Sequence, residues 1–465
     1  MPLAKIFPVV YIIGVPFFQP FATLIQKNKS PITRRSFMTS EKIAFLPDQK
    51  EAWTLNLSID GKRRKLRLTP PEPVHVEKEY CEALPVFNPD ARWNAPYAFK
   101  ALTRRGYNWT ECGLIPGSVV ISSTAGKVFK RGKDYECEEI WGSAGRLEKG
   151  KIREGMPVFI SYDHCLSRLD SVIRNRENGE IRVICGKTHP IMPRVPALPR
   201  GWERLANIYY SRHYDRLTEE MIYPVTKKRF SRLPRAGSAE PLLPGTLKKL
   251  RKGKKLRVLA WGDSVTECNY LPENQHWQVL FTKALAKKYP RCKIELISRG
   301  WDGHTSMDFL AAAEDSPFHF ASRILETDAD LIVSEFVNDA GTTPERFIPA
   351  YEKILKAFRA AGKEWIILTP HWILASWMAG HTVREIRFCK DDPRKFVHFL
   401  RDFTEKNGIA LADASAKYAE WAEMGFPYMA CMTNGINHPD LRGMKLFSAA
   451  LMELFPAEKQ VNICN

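Results

Sequence analysis

Beyond residue 255 the apolar positions fall into short, nearly unbroken runs separated by longer stretches of helical spacing. Residues 256–261 read as a buried strand, and 277–289 carry Val279, Leu280, Ala284 and Leu285 at helical spacing. The pattern then repeats, with strands expected at 293–297, 330–336, 365–368 and 409–412 and helices at 306–313, 346–361 and 396–406. Repeated β-α units of this length predict an α/β fold: a mainly parallel sheet with helices on both faces. In such sheets chemistry collects at the carboxyl ends of the strands, so the residues just after each strand are the ones to inspect.

The preceding chain is patterned differently. Over 41–225 the apolar runs are short and β-branched, at 118–122, 157–162 and 181–185, with turn residues such as Thr124-Ala125-Gly126-Lys127 and Asn178-Gly179 beside them. Pro190, Pro193, Pro196 and Pro199 mark an extended connector. A smaller β-rich accessory domain is expected at 41–225. Residues 226–255 are rich in Lys, Arg, Pro and Gly and read as a solvated basic linker, which leaves 256–465 as the α/β domain.

Charge sharpens this division. The chain holds 70 Lys and Arg against 52 Asp and Glu, but up to residue 255 the count is 46 against 25, and afterwards 24 against 27. A basic front half attracts an anionic polymer or surface at long range. No helix-turn-helix, zinc-finger or aromatic-basic motif accompanies it, so specific nucleic-acid binding is not expected. Hydrophobic residues at 44% and charged residues at 26% exclude a disordered or collagen-like chain. The ten cysteines include no Cys-x-x-Cys pair, against a zinc ribbon or thioredoxin-type site. Residues 1–40 form an apolar, export-like segment: Lys5 precedes an apolar run, and Thr33-Arg34-Arg35-Ser36-Phe37-Met38 looks like a twin-arginine signature. Export to a periplasm or the exterior is the expectation; a start at Met38 would make the protein cytoplasmic.

Four pieces of the α/β part carry candidate chemistry. The first strand runs into Gly262-Asp263-Ser264-Val265-Thr266-Glu267 and the second into Ser298-Arg299-Gly300-Trp301-Asp302-Gly303-His304-Thr305. The third ends in Val337-Asn338-Asp339, and Asn434-Gly435-Ile436-Asn437-His438-Pro439 precedes the last helix. A serine hydroxyl needs a base to become a nucleophile, and His438 is the natural one. Acyl transfer also needs donors aimed at a developing oxyanion; the N–H groups of Ser264 and Gly303 and the side-chain amide of Asn338 are available. Glycine at 303 lets backbone approach closely.

In this order the four pieces resemble the SGNH (GDSL-type) hydrolase family over about 256–457. The resemblance implies a flavodoxin-like sheet, with Ser264 as nucleophile, His438 as base, and Gly303 and Asn338 in the oxyanion hole. Gly300 is the rival for the glycine position, and His304-Thr305 favours Gly303. No glycine-rich phosphate or dinucleotide loop and no Gly-x-Ser-x-Gly elbow is present, so cofactor-free and metal-free hydrolysis is expected. His276, His304, His371 and His381 lack metal-ligand spacing and read as ordinary.

Two departures from the family pattern stand out. Phe336 replaces a glycine, which alters pocket shape. The Asp that orients the family's histidine is absent, its positions being Asn434 and Gly435. Three outcomes stay open: Asn434 or a backbone carbonyl orients His438 in a Ser-His dyad, a distant acid substitutes, with Asp440 the nearest in sequence, or the chain is weak or inactive. The leading expectation is a serine esterase removing a short acyl group, acetyl first, from a carbohydrate. The alternatives are a lipid or lysophospholipid esterase and a catalytically degenerate binding protein.

Overall fold

Alternating side chains along the C-terminal strands go to two different cores, and this determines the architecture of the C-terminal half. The computed structural model describes residues 42–92, 95–102, 113–231, 239–378, 380, 385–386 and 389–455. The export-like segment at 1–40, the twin-arginine signature and His381 lie outside the described residues.

Among the described residues seventeen strands follow one another as β1 (Ile43–Pro47), β2 (Thr54–Ile59), β3 (Lys62–Arg67), β4 (Pro73–Cys81), β5 (Val120–Ser123), β6 (Tyr135–Glu138), β7 (Ser143–Arg146), β8 (Val158–Cys165), β9 (Arg168–Asn175), β10 (Ile181–Ile184), β11 (Trp202–Tyr210), β12 (Ile222–Pro224), β13 (Leu256–Gly262), β14 (Ile294–Gly300), β15 (Leu331–Glu335), β16 (Glu364–Leu368) and β17 (Ala410–Ala412). The first twelve form small antiparallel sheets: β1-β2-β3, β4-β8-β5, the β6-β7 hairpin, and β10-β9-β11-β12. Asp60 and Gly61 turn β2 into β3 with φ of 48° and 85°, the left-handed conformations of a two-residue hairpin. Ile43, Phe45, Leu55 and Leu57 pack against Val172, Ile208 and Tyr210 to close the first and last of these sheets on each other.

The last five strands form one parallel sheet in the order β14-β13-β15-β16-β17. Numbered along the chain this is 2-1-3-4-5, the flavodoxin-like order. Leu256, Val258 and Ala260 of β13 face one core with α4 (Trp277–Lys288) and the C-terminal helix Leu441–Glu453; Leu259 and Trp261 face the other with α6 (Pro344–Ala360). The helices in chain order are α1 (Ala239–Leu242), α2 (Pro244–Arg251), α3 (Ser264–Glu267), α4, α5 (Ser306–Ala311), α6, α7 (Lys395–Asn407), α8 (Ala414–Glu423) and α9 (Leu441–Glu453). Each face of the sheet is therefore covered by helices.

One expectation is corrected. The stretch 226–255 is not a solvated linker throughout: α2 lies within it, and Leu243, Leu247 and Leu250 are buried in the same core as Val258 and Phe281. Glu364 at the start of β16 accepts from the Gly245 and Thr246 N–H groups at 2.6 and 2.7 Å, anchoring the first turn of α2. Lys248 of α2 is exposed, while Lys249 is half-buried and pairs with Asp330 at 2.5 Å. The β-rich region is also joined to the sheet region by buried contacts, since Asn207 donates to the Gly425 carbonyl at 2.6 Å and Tyr209 and Tyr223 enter the sheet's core.

Candidate active site

Register brings the first three sequence pieces to one level. Gly262 at the end of β13 pairs with Gly300 on one side and Glu335 on the other. The chain segments that follow leave the sheet side by side, where the strand order reverses and open α/β sheets bind ligands. Asp263 fixes them together: its carboxylate accepts from the Val265 N–H at 3.0 Å and the Asn338 N–H at 2.9 Å. The Trp301 N–H donates to the Gly262 carbonyl at 3.1 Å, and the Asn338 side-chain amide to the His304 carbonyl, also at 3.1 Å. Asp263 is thus a site residue that sequence reading passed over, although it stands in the Gly-Asp-Ser piece.

Ser264 opens α3 and is only 5% exposed. His438 Nε2 lies 3.0 Å from Ser264 Oγ, in position to accept the hydroxyl hydrogen, across 174 residues of sequence. Burial alone lowers the His438 pKa from 6.5 to about 4. The imidazole is therefore neutral, and able to act as a base, over a wide pH range.

Gly303 has a φ of 74°, and a Cβ there would meet nothing within 4 Å. The backbone conformation calls for glycine at this position, not the close approach expected from the sequence. Gly300 differs, because a Cβ there would lie 2.2 Å from the Glu267 nitrogen of α3, which makes it a packing glycine. Trp301 is stacked between His304 at 3.8 Å and Phe318 at 4.2 Å, stiffening the loop that presents Gly303. Phe336, where a glycine was expected, packs edge-on against Trp261 at 4.9 Å.

The orientation of His438 departs from two of the three options. Asn434 does not touch the ring; its Oδ1 accepts the backbone N–H groups of Ile436, Asn437 and His438 at 2.9–3.0 Å and shapes the loop. Asp440 does not substitute for the missing acid, because it caps α9 through the Arg442 N–H and pairs with the Arg442 guanidinium, both at 2.8 Å. Among the described residues no group accepts a hydrogen bond from His438 Nδ1. What does touch the ring is Tyr270, whose phenol lies parallel to the imidazole at 4.3 Å with 1° between planes. The loop is held by His371, whose Nε2 meets the Asn437 carbonyl at 2.7 Å; this imidazole is fully buried and kept neutral chiefly by burial and then by the Arg394 charge. Neither Tyr270 nor His371 has a signal of its own in the sequence, since both contacts span long separations.

Beneath the site lie three fully buried carboxyls, Asp263, Glu335 and Asp339. Asp339 ties α5 to the third strand by accepting from the Ser306 N–H and hydroxyl and from the Tyr351 hydroxyl, and it does not cap the following helix. Its pKa is raised to about 6, mainly by burial. Glu335 and Asp263 are both raised, by burial first; the Asp263 charge raises Glu335 further, and the Asp339 charge raises both. Neither Glu335 oxygen has a hydrogen-bond partner among the described residues, whereas Asp263 accepts two N–H groups, so the proton belongs on Glu335.

A hydroxyl, an imidazole and an amide side chain thus gather at the carboxyl end of a doubly wound parallel sheet. No family model matches this chain, and no curated protein matches it in sequence. Solved structures similar to it are SGNH/GDSL hydrolases and acetyl esterases. One is a two-domain esterase active on acetylated mannans, co-crystallised with mannopentaose: 15% identity, TM-score 0.37, 47% of this chain and 53% of that one. This chain therefore spans about half the length of that relative. A catalytic mutant of an acetylxylan esterase from Geobacillus stearothermophilus gives 15% identity, TM-score 0.35, and coverage of 43% and 94%. A member of the lipolytic G-D-S-L family from Veillonella parvula gives 17%, 0.29, and 43% and 98%.

Proposed function

We propose that this chain is a serine ester hydrolase that removes a short acyl group, acetyl first, from a carbohydrate through an acyl-enzyme. The observation that carries the reading is the 3.0 Å approach of His438 Nε2 to Ser264 Oγ beside the Asn338 amide. Ser264 Oγ attacks the ester carbonyl carbon while His438 takes the hydroxyl proton. The Ser264 and Gly303 N–H groups and the second Asn338 amide hydrogen receive the oxyanion. His438 returns the proton to the departing sugar hydroxyl. Water, deprotonated by the same imidazole, then releases the acid and restores Ser264.

Acetylated polysaccharide is the substrate class named for two of the similar structures, and a β-rich region beside the sheet suits the positioning of such a polymer. The front half adds a basic surface: β3 is an edge strand, Lys62-Arg63-Arg64-Lys65-Leu66-Arg67, and among the described residues only its Lys65 is ion-paired. We assign that strand to contact with an anionic polymer or surface.

The test is acetate release from acetylated mannan and acetylated xylan, measured beside p-nitrophenyl palmitate and a lysophospholipid. Acetate release that Ser264→Ala abolishes supports the proposal. Dominant turnover of the lipid substrates makes the chain a lipid esterase. A folded protein inert toward all of them makes it a binding protein.

A further inference from the structure

The base of this site has no carboxylate among the described residues, yet its backbone is fixed and its ring is held by two contacts. The Asn434 side chain fixes the His438 backbone N–H, Ser264 meets Nε2, and the Tyr270 phenol covers one face of the imidazole. The first and second contacts leave the ring plane free to rock about the line through Nε2. A parallel aromatic ring at 4.3 Å restrains that motion, because tilting either plane separates the stacked faces.

We infer that Tyr270 is the positioning residue of the catalytic base, holding the His438 ring in line with Ser264 where related sites use an acid. This rests on the proposed hydrolase reading. The sequence places the clamp on the nucleophile's own element. Helix α3 runs from Ser264 to Glu267 and is capped by Cys268, a non-glycine residue with φ of 58°, and this left-handed residue reverses the chain so that Tyr270 returns over the site. The return loop is pinned: the Leu271 N–H donates to the Cys268 carbonyl at 3.1 Å, and His276 Nε2 meets the Leu271 carbonyl at 3.1 Å. Asn269 Nδ2 donates to Glu267 Oε1 at 2.8 Å. Nucleophile and clamp are therefore built as one rigid piece against which the histidine loop docks.

The stack also has a charge consequence. When His438 takes the serine proton it becomes a cation lying on a π face, and that attraction exists only while the charge does. It is strengthened in the transition state relative to the resting enzyme, so its loss appears in kcat more than in KM.

The experiment compares p-nitrophenyl acetate kinetics of the full chain with Tyr270→Leu and Tyr270→Phe. Tyr270→Leu is expected to lower kcat by about 10- to 100-fold with KM within about twofold, and Tyr270→Phe to restore most of that loss. Retention of kcat in the leucine variant, or equal losses in both, overturns the inference. If the leucine variant does not fold, the His438 imidazole proton shifts of the parent and Tyr270→Phe decide. Upfield ring-current shifts in both support the stack, and ordinary shifts overturn it. A parent enzyme without turnover would instead overturn the hydrolase reading, while the proton shifts still report the stack.

Discussion

At the scale of single residues, burial sets the protonation of the site. His438 titrates near 4 instead of 6.5, so the acid limb of kcat/KM on an acetyl ester is expected near pH 4, read from a pH–rate profile. The sign for stability follows from the same shift. The unfolded chain binds this proton first, so the contribution of His438 is present above about 6.5 and is lost as pH falls toward about 4. Glu335 acts in the opposite sense. Its raised value means the folded state keeps a proton the unfolded chain has released, so stability falls as pH rises above the ordinary carboxylate range. Glu335→Gln removes that penalty; thermal unfolding should find the variant increasingly favoured over the parent as pH rises above the ordinary carboxylate range. A difference that is flat or shrinking with pH would show that Glu335 is ionised in the fold.

Among the elements, one loop and one helix carry testable consequences. Gly303→Ala places a Cβ at φ 74°, which costs about 1–2 kcal/mol in a position with no steric conflict, measured by denaturant unfolding. Leu247→Ala should destabilise by about 2–5 kcal/mol because α2 is packed in the sheet's core; a change within about 0.5 kcal/mol would restore the linker reading. How far the sequence could be read follows from the range of each signal. The β-α alternation after residue 255 was legible because strands buried on both faces leave long apolar runs, and the four candidate pieces were legible because each sits at a strand or loop end. Helix α2 was hidden by composition: Leu243, Leu247 and Leu250 recur at helical spacing inside a run of lysines. The role of Asn434 was hidden for another reason, since a short amide collecting three backbone N–H groups is a turn device whose partners lie within four residues, and spacing alone does not separate it from a ring-orienting group. Tyr270 was hidden because stacking on His438 is a tertiary contact.

Across the whole molecule, charge and chemistry are segregated. The basic residues gather in the front half, while the sheet region is close to neutral. Retention of the full chain on an immobilised polyanion should fall steeply with salt, and charge reversal in β3 at Lys62, Arg63 and Arg64 should remove most of it while acetyl-ester turnover persists. The central claim is that residues 264 and 438 form one acyl-transfer unit without a carboxylate. Intact-mass measurement after exposure to a fluorophosphonate tests it most directly. The account predicts one adduct per chain, mapped to Ser264, absent in Ser264→Ala and formed at least about a thousandfold more slowly in His438→Ala. A folded chain that takes up no label, or labels equally fast without His438, would contradict it.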